Sequence, residues 1–191
     1  MTPNTPDKHL KRPNLVLLDR DGVINHDSED YIKTPSEWNP IEGSIDAIVQ
    51  LQLNGIMVAV CTNQSGLARG LIKRTDLLSM HNLCNQKLIQ AGGCPIIFFF
   101  CPHLPSDECE CRKPQPGLIR AAMSKIGITN DRTIFIGDSM SDWKAALAGQ
   151  VDFALVTTGN GDLTLSNLNS DEIDAIQYHS HLAGYVDSLK L

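Results

Sequence analysis

The sequence predicts an α/β fold in which helices cover both faces of a parallel β-sheet. Short runs that are apolar throughout alternate along the chain with longer segments of helical periodicity. Strands buried on both faces have this continuous apolar character, and the helices between them supply the crossovers that parallel pairing needs. With 191 residues, the chain is long enough to form one domain with a substantial core.

Five apolar runs are predicted to be strands, and polar residues follow each of the first four. In chain order they are 14–18 (NLVLL), 56–61 (IMVAVC), 96–100 (IIFFF), 133–137 (TIFIG) and 152–156 (DFALV). Predicted helices span 44–55, 74–91, 117–127 and 141–149, with Ser44 as a cap of the first and glycines ending the first three. The tail, about 171–190, is predicted to be helical with weaker periodicity.

The N-terminal segment and the bulk composition bear on location and partners. Residues 1–12 have scattered prolines and charges but no apolar signal-peptide segment, so they are predicted to be a flexible lead-in to a single domain, 13–191. The longest apolar run, 96–101, is too short to cross a bilayer. A net charge of −6 argues against a broad nucleic-acid-binding surface. We expect a cytoplasmic monomer whose partner is a small molecule, with no nucleic acid or membrane bound.

Polar clusters come directly after the first four predicted strands. They are Asp19–Gly22, Thr62–Gly66, the loop that begins at Cys101, and Gly137–Ser139. In open parallel sheets, ligands bind beyond the carboxyl ends of the strands. The four clusters are therefore expected to converge at one edge of the sheet.

The carboxylates of these clusters predict a magnesium site. Asp19 and Asp21 are two residues apart in a turn that Gly22 permits, and Asp138 and Asp142 follow another buried strand. Carboxylates gathered in one place repel one another unless a cation lies among them, and hard oxygen ligands suit Mg²⁺. Taken alone, the Asp19–Asp21 pair could also be a solvated acidic turn.

Thr62 and Lys113 add groups that can hold a phosphoryl group. A hydroxyl and backbone N–H groups at a strand end, together with an ammonium, suit its oxygens. Singly, a strand-end Thr is more often a cap and a Lys-Pro pair more often a surface loop. Their combination with the acidic pairs favours a phosphoryl-transfer site.

Four segments, taken in chain order, resemble the motifs of the haloacid dehalogenase (HAD) superfamily. They are LVLLDRDGVIN, VAVCTNQSG, the Lys113 of CRKPQPG, and IFIGDSMSD. The resemblance implies a Rossmann-like fold, with Asp19 as the nucleophile and Asp21 as the general acid and base. It also implies Mg²⁺ held by Asp19, the Asp21 carbonyl and Asp138. Because Asp21 has to be protonated for part of the cycle, its pKa is expected to be raised.

Within that superfamily the chain is most similar to the heptose 1,7-bisphosphate phosphatase group. DRDGVIN, TNQSGLARG, FFCPH and CRKPQPG carry this likeness. It implies Mg²⁺-dependent removal of a sugar 7-phosphate in nucleotide-activated heptose (lipopolysaccharide core) biosynthesis. The segments between motifs are too short for a large cap domain, so loops 25–40, 63–73 and 102–115 would border the pocket. Asn63 and Arg112, and more weakly Arg69 with Lys73, would contact substrate phosphate.

Cys101, His103, Cys109 and Cys111 follow the spacing C-x-H-x5-C-x-C. These are the ligand types that tetrahedral Zn²⁺ prefers, and four protein ligands leave no position open for water. A zinc loop at this place is also what the resemblance implies, and it would hold the chain that carries Arg112 and Lys113 rigid. The redox alternative is weaker, because C-E-C is not the C-x-x-C of thioredoxin-like sites. Cys61 and Cys84 are predicted to be core residues.

Other interpretations remain open at this stage. Histidinol-phosphate phosphatases have a similar zinc loop, and the short spacing of CPHLPSDECECRKP fits that family at least as well. A nucleic-acid 3′-phosphatase would share the Asp-x-Asp chemistry, but the acidic balance argues against it. A catalytically dead, zinc-stapled binding module is the alternative outside the enzymes, although every position of the catalytic set is filled.

Overall fold

The computed structural model describes residues 12–191 and contains a six-stranded parallel sheet flanked by helices. Of the predicted lead-in, 1–12, only Arg12 lies within the described residues. The strands are β1 Leu15–Leu18, β2 Met57–Asn63, β3 Ile97–Cys101, β4 Thr133–Gly137, β5 Asp152–Val156 and β6 Gln177–His179. The α/β prediction is confirmed.

Seven α-helices connect and cover these strands in the described part of the chain. They are α1 Ser44–Leu53, α2 Arg74–Gln90, α3 Gly117–Ile126, α4 Met140–Gly149, α5 Gly161–Ser166, α6 Ser170–Ala175 and α7 Leu182–Ser188. The loops between β1 and α1 and between β2 and α2 contain no inserted domain. The prediction that the pocket lacks a large cap is confirmed. In residues 12–191 no helix has the length and apolarity needed to cross a membrane.

The strand order is β3-β2-β1-β4-β5-β6, so the direction of winding reverses beside β1. Leu15 of β1 aligns with Met57 of β2 on one side and with Thr133 of β4 on the other. Crossover connections leave this reversal point in opposite directions, which opens a crevice at the carboxyl ends of β1 and β4. The residues after those two strands are therefore placed in the crevice.

Alternate strand residues supply two separate cores, one on each face of the sheet. Val16 and Leu18 of β1 pack in the layer that contains residues of α1, α2 and α7. Leu15 and Leu17 pack on the opposite face with residues of α3 and α4. Both faces are covered, which explains why the sequence of these strands is apolar throughout rather than alternating. Cys61 and Cys84 are buried core residues, as predicted.

Two local predictions were wrong. The tail is not one helix, because a sixth strand lies between α6 and α7 and pairs with β5. Ser44 is not the cap of α1: Gly43 occupies that position with φ 78°, and the Ser44 hydroxyl donates to the Ile24 carbonyl at 2.7 Å. The strand predicted at 96–100 is confirmed as Ile97–Cys101; it lies at the edge of the sheet, so most of its residues are only partly buried.

Candidate active site

The polar clusters converge on one open cavity of about 330 Å³ at the carboxyl end of the sheet. Seven of the predicted site residues line it, namely Asp19, Asp21, Thr62, Asn63, Arg112, Lys113 and Asp138. Arg69 does not; it is exposed outside the cavity. The prediction that clusters from different strands meet at one edge is confirmed for all four.

Lys113 lies at the floor of the cavity between two carboxylates. Its Nζ is 2.9 Å from Asp19 Oδ1 and 2.7 Å from Asp142 Oδ1, and the residue is 2 % exposed. The ammonium also lies 5.2 Å from the centre of the Phe135 ring. Burial would lower the pKa of Lys113, but the charges of Asp142 and Asp19 outweigh it and raise that pKa. Lys113 is therefore a fixed positive charge at neutral pH.

Asp19, Asp138 and Asp142 bring carboxylate oxygens within 4.8 Å of one another. Burial is the main cause that raises the pKa of Asp19 to about 7, with the charge of Asp142 adding to it and Lys113 opposing it. Burial and the charges of Asp142 and Asp19 raise the pKa of Asp138 to about 8. Buried carboxylates that repel one another are stabilised by a cation among them.

The backbone beside these carboxylates leaves no room for a side chain. A Cβ at Gly22, whose φ is 80°, would overlap the Asp138 carboxylate, and so would one at Gly159. The Asp138 carboxylate therefore lies directly against the backbone of the turn that follows Asp21. These oxygens and this close backbone approach fit a hard divalent ion such as Mg²⁺.

Asp142 is held by the first turn of α4. Ser139 caps this helix: its hydroxyl accepts from the Asp142 N–H at 3.3 Å and donates to Asp142 Oδ2 at 2.7 Å. The Asp138 N–H donates to the same oxygen at 3.2 Å. Oδ2 is thus used by the helix cap, while Oδ1 faces Lys113. Asp142 supports the site more than it offers a free ligand atom.

Asp21 is surrounded by donors. Its Oδ1 accepts from Arg20 Nε at 2.9 Å and from Asn25 Nδ2 at 2.8 Å. Its Oδ2 accepts from Arg20 Nη2 at 2.8 Å and from Gln64 Nε2 at 2.9 Å. Burial alone would raise the pKa of Asp21, but the Arg20 charge and these hydrogen bonds lower it. The prediction of a raised pKa at Asp21 was wrong, because the sequence did not show that Arg20 folds back onto its neighbour.

The last residue of β3 and the loop after it bring together four side chains that could hold a metal ion, namely Cys101, His103, Cys109 and Cys111. Cys101 Sγ is 3.5 Å from His103 Nδ1 and 3.6 Å from Cys109 Sγ, and Cys111 Sγ is 3.3 Å from the same Nδ1 and 3.5 Å from Cys109 Sγ. These separations are close to the ~3.5–3.8 Å edges of a tetrahedron built with Zn–S about 2.3 Å and Zn–N about 2.0 Å. They are too long for a disulfide, and all of these thiols are free.

Hydrogen bonds connect this loop to the floor of the cavity. Asn63, the last residue of β2, donates through Nδ2 to the Lys113 carbonyl and accepts from the Lys113 N–H, both at 3.0 Å. Arg112 donates to the carbonyl of His103 at 3.2 Å. The Lys113 backbone is therefore held to β2 by the Asn63 side chain, and this fixes where the Lys113 side chain enters the cavity.

Several functional contacts come from residues to which the sequence analysis gave no role. Arg20 and Gln64 hold Asp21, and the Asn160 N–H donates to Asp138 Oδ2 at 2.7 Å. The Thr158 hydroxyl donates to the Gly22 carbonyl at 2.6 Å. The last two belong to the loop after β5, which the rule about carboxyl ends of strands covers as well. Applied to the fifth strand as well, the rule would have indicated Thr158 and Asn160.

Comparison with known proteins shows which family the chain belongs to. A family model described as HAD-hydrolase-like matches residues 110–185. The chain is 48% identical over 151 residues to the D-glycero-β-D-manno-heptose-1,7-bisphosphate 7-phosphatase of Pseudomonas putida, covering 79% of this chain and 86% of that protein. The chain belongs to this phosphatase family.

A second relative and a crystal structure support the same family assignment. The Bordetella bronchiseptica enzyme of the same name is 42% identical over 152 residues, covering 80% of this chain and 85% of the enzyme. A crystal structure of D,D-heptose 1,7-bisphosphate phosphatase from B. bronchiseptica, complexed with magnesium and phosphate, superposes with a TM-score of 0.87 at 38% identity. The match covers 93% of this chain and 98% of that structure. The HAD resemblance and the interpretation as a phosphatase are confirmed.

Proposed function

We propose that the chain hydrolyses the 7-phosphate of D-glycero-β-D-manno-heptose 1,7-bisphosphate in a Mg²⁺-dependent reaction. One observation carries the proposal: Asp19, Asp21, Thr62, Lys113 and Asp138, which arise from four separate parts of the chain, line one cavity. The relatives at 42–48% identity are named for this reaction, and the β configuration at the anomeric carbon comes from their names. Heptose activation for lipopolysaccharide synthesis is the process this reaction would serve.

In the first step, an Asp19 carboxylate oxygen attacks phosphorus and the bond to the sugar oxygen breaks. The departing oxygen takes a proton from Asp21, which leaves heptose 1-phosphate and an aspartyl-phosphate at Asp19. Asp21 is ionised before substrate arrives, because its pKa is lowered. The negative charge of a bound phosphate raises the pKa of a neighbouring carboxyl group, so substrate binding favours the protonated form that this step needs.

In the second step, Asp21 takes a proton from water while the water oxygen attacks the phosphorus of the aspartyl-phosphate. Inorganic phosphate leaves and the Asp19 carboxylate is restored. Throughout, Lys113 and the hydroxyl of Thr62 hold the phosphoryl oxygens, and Lys113 offsets the repulsion between the Asp19 carboxylate and the phosphate.

Magnesium is the metal we assign to the acidic cluster. Asp19, Asp138 and the Asp21 carbonyl would hold it, with Asp142 in support, and when bound it neutralises charge on the carboxylates and the phosphoryl group. Its presence in the B. bronchiseptica phosphatase and the raised pKa values of Asp19 and Asp138 support this assignment.

Zinc is the metal we assign to the cluster of Cys101, His103, Cys109 and Cys111, where its role would be structural. Arg112, which borders the catalytic cavity and a second cavity of about 430 Å³ beside this loop, would bind the non-reacting phosphate. Asn63 would act through its hold on the Lys113 backbone. For Arg69 only a weaker, outer role at the substrate remains, since it lies outside the cavity.

Parallel kinetics on heptose 1,7-bisphosphate and histidinol phosphate test the proposal. We expect kcat/KM to be at least about 100-fold higher on the heptose substrate, because a remote phosphate adds positioning contacts. Histidinol phosphate being the better substrate would contradict the choice of substrate. Full activity in EDTA-treated, magnesium-free protein would contradict the mechanism itself. A single domain at 13–191, a monomeric state and a cytoplasmic location stay predictions.

A further inference from the structure

We propose that Arg20 is a positioning residue for the proton-transfer step: with Gln64 and Asn25 it holds the Asp21 carboxylate in one orientation. The inference rests on the proposed function, since Asp21 is taken as the general acid and base. Arg20 touches neither Asp19 nor Lys113 through its side chain in the described contacts; its side-chain hydrogen bonds go to Asp21 and to Gln64, which itself donates to Asp21.

The four hydrogen bonds to Asp21 match the full accepting capacity of a carboxylate. An ionised carboxylate has about four lone-pair sites on its two oxygens. Two of the four bonds come from one guanidinium, at 2.9 and 2.8 Å, in the parallel arrangement that fixes both oxygens in a plane. Rotation of the carboxylate would break both Arg20 bonds at once. The carboxylate plane is thereby set by Arg20.

The donors are themselves held by other groups, so this arrangement does not depend on Asp21 alone. Gln64 accepts from Arg20 Nη2 through Oε1 at 3.2 Å and donates to Thr62 Oγ1 at 3.0 Å. The Trp38 indole N–H donates to Asn25 Oδ1 at 2.8 Å, which fixes the direction of the Asn25 amide. Arg20 is 2 % exposed and Trp38 5 %. Side chains buried this deeply keep one rotamer, so the orientation is passed from the core to Asp21.

Burying the Arg20 guanidinium costs folding free energy unless an anion is paired with it. A guanidinium buried to this extent requires a paired anion, and Asp21 is its one ion-pair partner among residues 12–191. Both residues line the catalytic cavity, but the Arg20 side chain is only 2 % exposed whereas that of Asp21 is 21 % exposed.

The arrangement also determines which bond gives way when Asp21 takes up a proton. An oxygen that becomes protonated loses one accepted hydrogen bond. Bonds from a charged donor are about twice as strong as those from a neutral one, so the proton displaces an amide donor, Asn25 or Gln64, before it displaces Arg20. The guanidinium therefore keeps the carboxyl group aligned through both proton-transfer steps.

The test compares Arg20→Met with Arg20→Lys on heptose 1,7-bisphosphate. We expect Arg20→Met to lower kcat by about 100-fold, the order of loss that follows a catalytic group misplaced by about 1 Å, with KM changed by less than about threefold. Arg20→Lys keeps the charge but lacks the paired donors, so it should recover less than about tenfold of that loss. Full recovery by Lys would overturn the inference, and so would a rise in KM with unchanged kcat.

A double-mutant cycle identifies the partner through which Arg20 acts. With phosphate release followed over hours, Arg20→Met combined with Asp21→Asn should be no slower than Asp21→Asn alone, within about threefold, because residues that act as a unit are not additive. Multiplied losses would overturn the inference.

Two further variants keep the test decisive. Arg120→Met removes an exposed arginine whose guanidinium donates to the Ala148 carbonyl, and it should match the unmodified protein in kcat and KM. If Arg20→Met does not fold, Gln64→Leu removes one of the four bonds and should lower kcat by about tenfold. Because Gln64 also donates to Thr62, combining Gln64→Leu with Asp21→Asn shows whether the loss passes through Asp21. An unchanged kcat in Gln64→Leu would contradict the inference. Absence of phosphatase activity in the unmodified protein would instead refute the proposed function.

Discussion

The acidic cluster of Asp19, Asp138 and Asp142 and the Cys/His cluster after β3 both gather possible metal ligands within 4.8 Å, but they differ in energetic character. The acidic cluster holds buried like charges, two of which have pKa values raised to about 7 and about 8. The Cys/His cluster lies on a half-exposed loop whose backbone is clamped to β2 through Asn63. On the proposed function, the first costs folding free energy and serves chemistry, and the second would stabilise the loop that carries Lys113.

Substitution of Asp19 should separate activity from stability most strongly. Asp19→Asn is expected to lower kcat by at least ~10⁴-fold, because the nucleophile is lost. Its melting temperature should stay the same or rise by a few degrees, since one of three repelling carboxylates is neutralised. Phosphate release and calorimetry measure the two effects. Residual activity near that of the unmodified protein would show that the two clusters do not divide the work in this way.

Substitution of Cys109, unlike that of Asp19, should lower the stability of the protein as well as its activity. Cys109→Ser is expected to lower the free energy of unfolding by about 3 kcal/mol, because binding of a structural metal contributes to folding. It should also lower kcat by ~100-fold as the Lys113 loop loses its position.

The matched control is Cys94→Ser, which changes an exposed thiol outside the cluster and should alter neither property. Metal analysis should find about one zinc per chain in the control and much less in Cys109→Ser. A stable, zinc-free protein would remove the distinction between the clusters.

Asn63 connects the Cys/His loop to the acidic cluster through the Lys113 backbone, so its substitution tests that connection. Asn63→Ala removes both contacts to the Lys113 backbone, and we expect about tenfold lower kcat and about 1–2 kcal/mol lower stability. Asn85 offers a matched control, since its side chain makes the same pair of contacts to the Ile96 backbone, away from the cavity. Asn85→Ala should cost similar stability without loss of kcat. Equal effects on kcat from the two variants would refute the proposed connection.

The smallest expected effect is the pH dependence of magnesium stabilisation. The pKa values of Asp19 and Asp138 are raised in the folded state, so the metal-free fold retains protons that the unfolded chain releases, and these groups destabilise it as pH rises from about 4 to 8. Magnesium should therefore raise the melting temperature by more at pH 8 than at pH 5.5, where both groups are protonated.

Asp138→Asn removes one of these groups and provides the control. It should abolish most of the magnesium shift while raising the melting temperature of the metal-free protein above that of the unmodified chain. A magnesium shift of the same size at both pH values would contradict the expected release of protons from Asp19 and Asp138.

Much of the fold could be predicted from sequence because its strands are buried on both faces. Val16, Leu17 and Leu18 give a continuous apolar run, and the polar residues after each strand mark the carboxyl edge. The short strand β6 gave no such signal, since Tyr178 is exposed and its two neighbours are only partly buried.

The residues of the site were predictable where a motif carried them, but their charge states were not. Asp19 and Asp21 look equivalent in the sequence, yet their pKa values move in opposite directions. Burial and the charge of Asp142 raise the pKa of Asp19 against the opposing charge of Lys113, whereas Arg20, Asn25 and Gln64 lower the pKa of Asp21. Such partners become visible only when the chain is folded.

The pairing of β1 with β4 has a consequence for the order of events during synthesis. Leu15 aligns with Thr133, so the strand that precedes Asp19 acquires this neighbour only after more than a hundred further residues have been made. Contacts this distant in sequence form slowly, and domains emerge from the ribosome N-terminus first. On the proposed mechanism, we expect a nascent chain that already carries Asp19 and Asp21 to lack phosphatase activity until Asp138 and Asp142 are also in place.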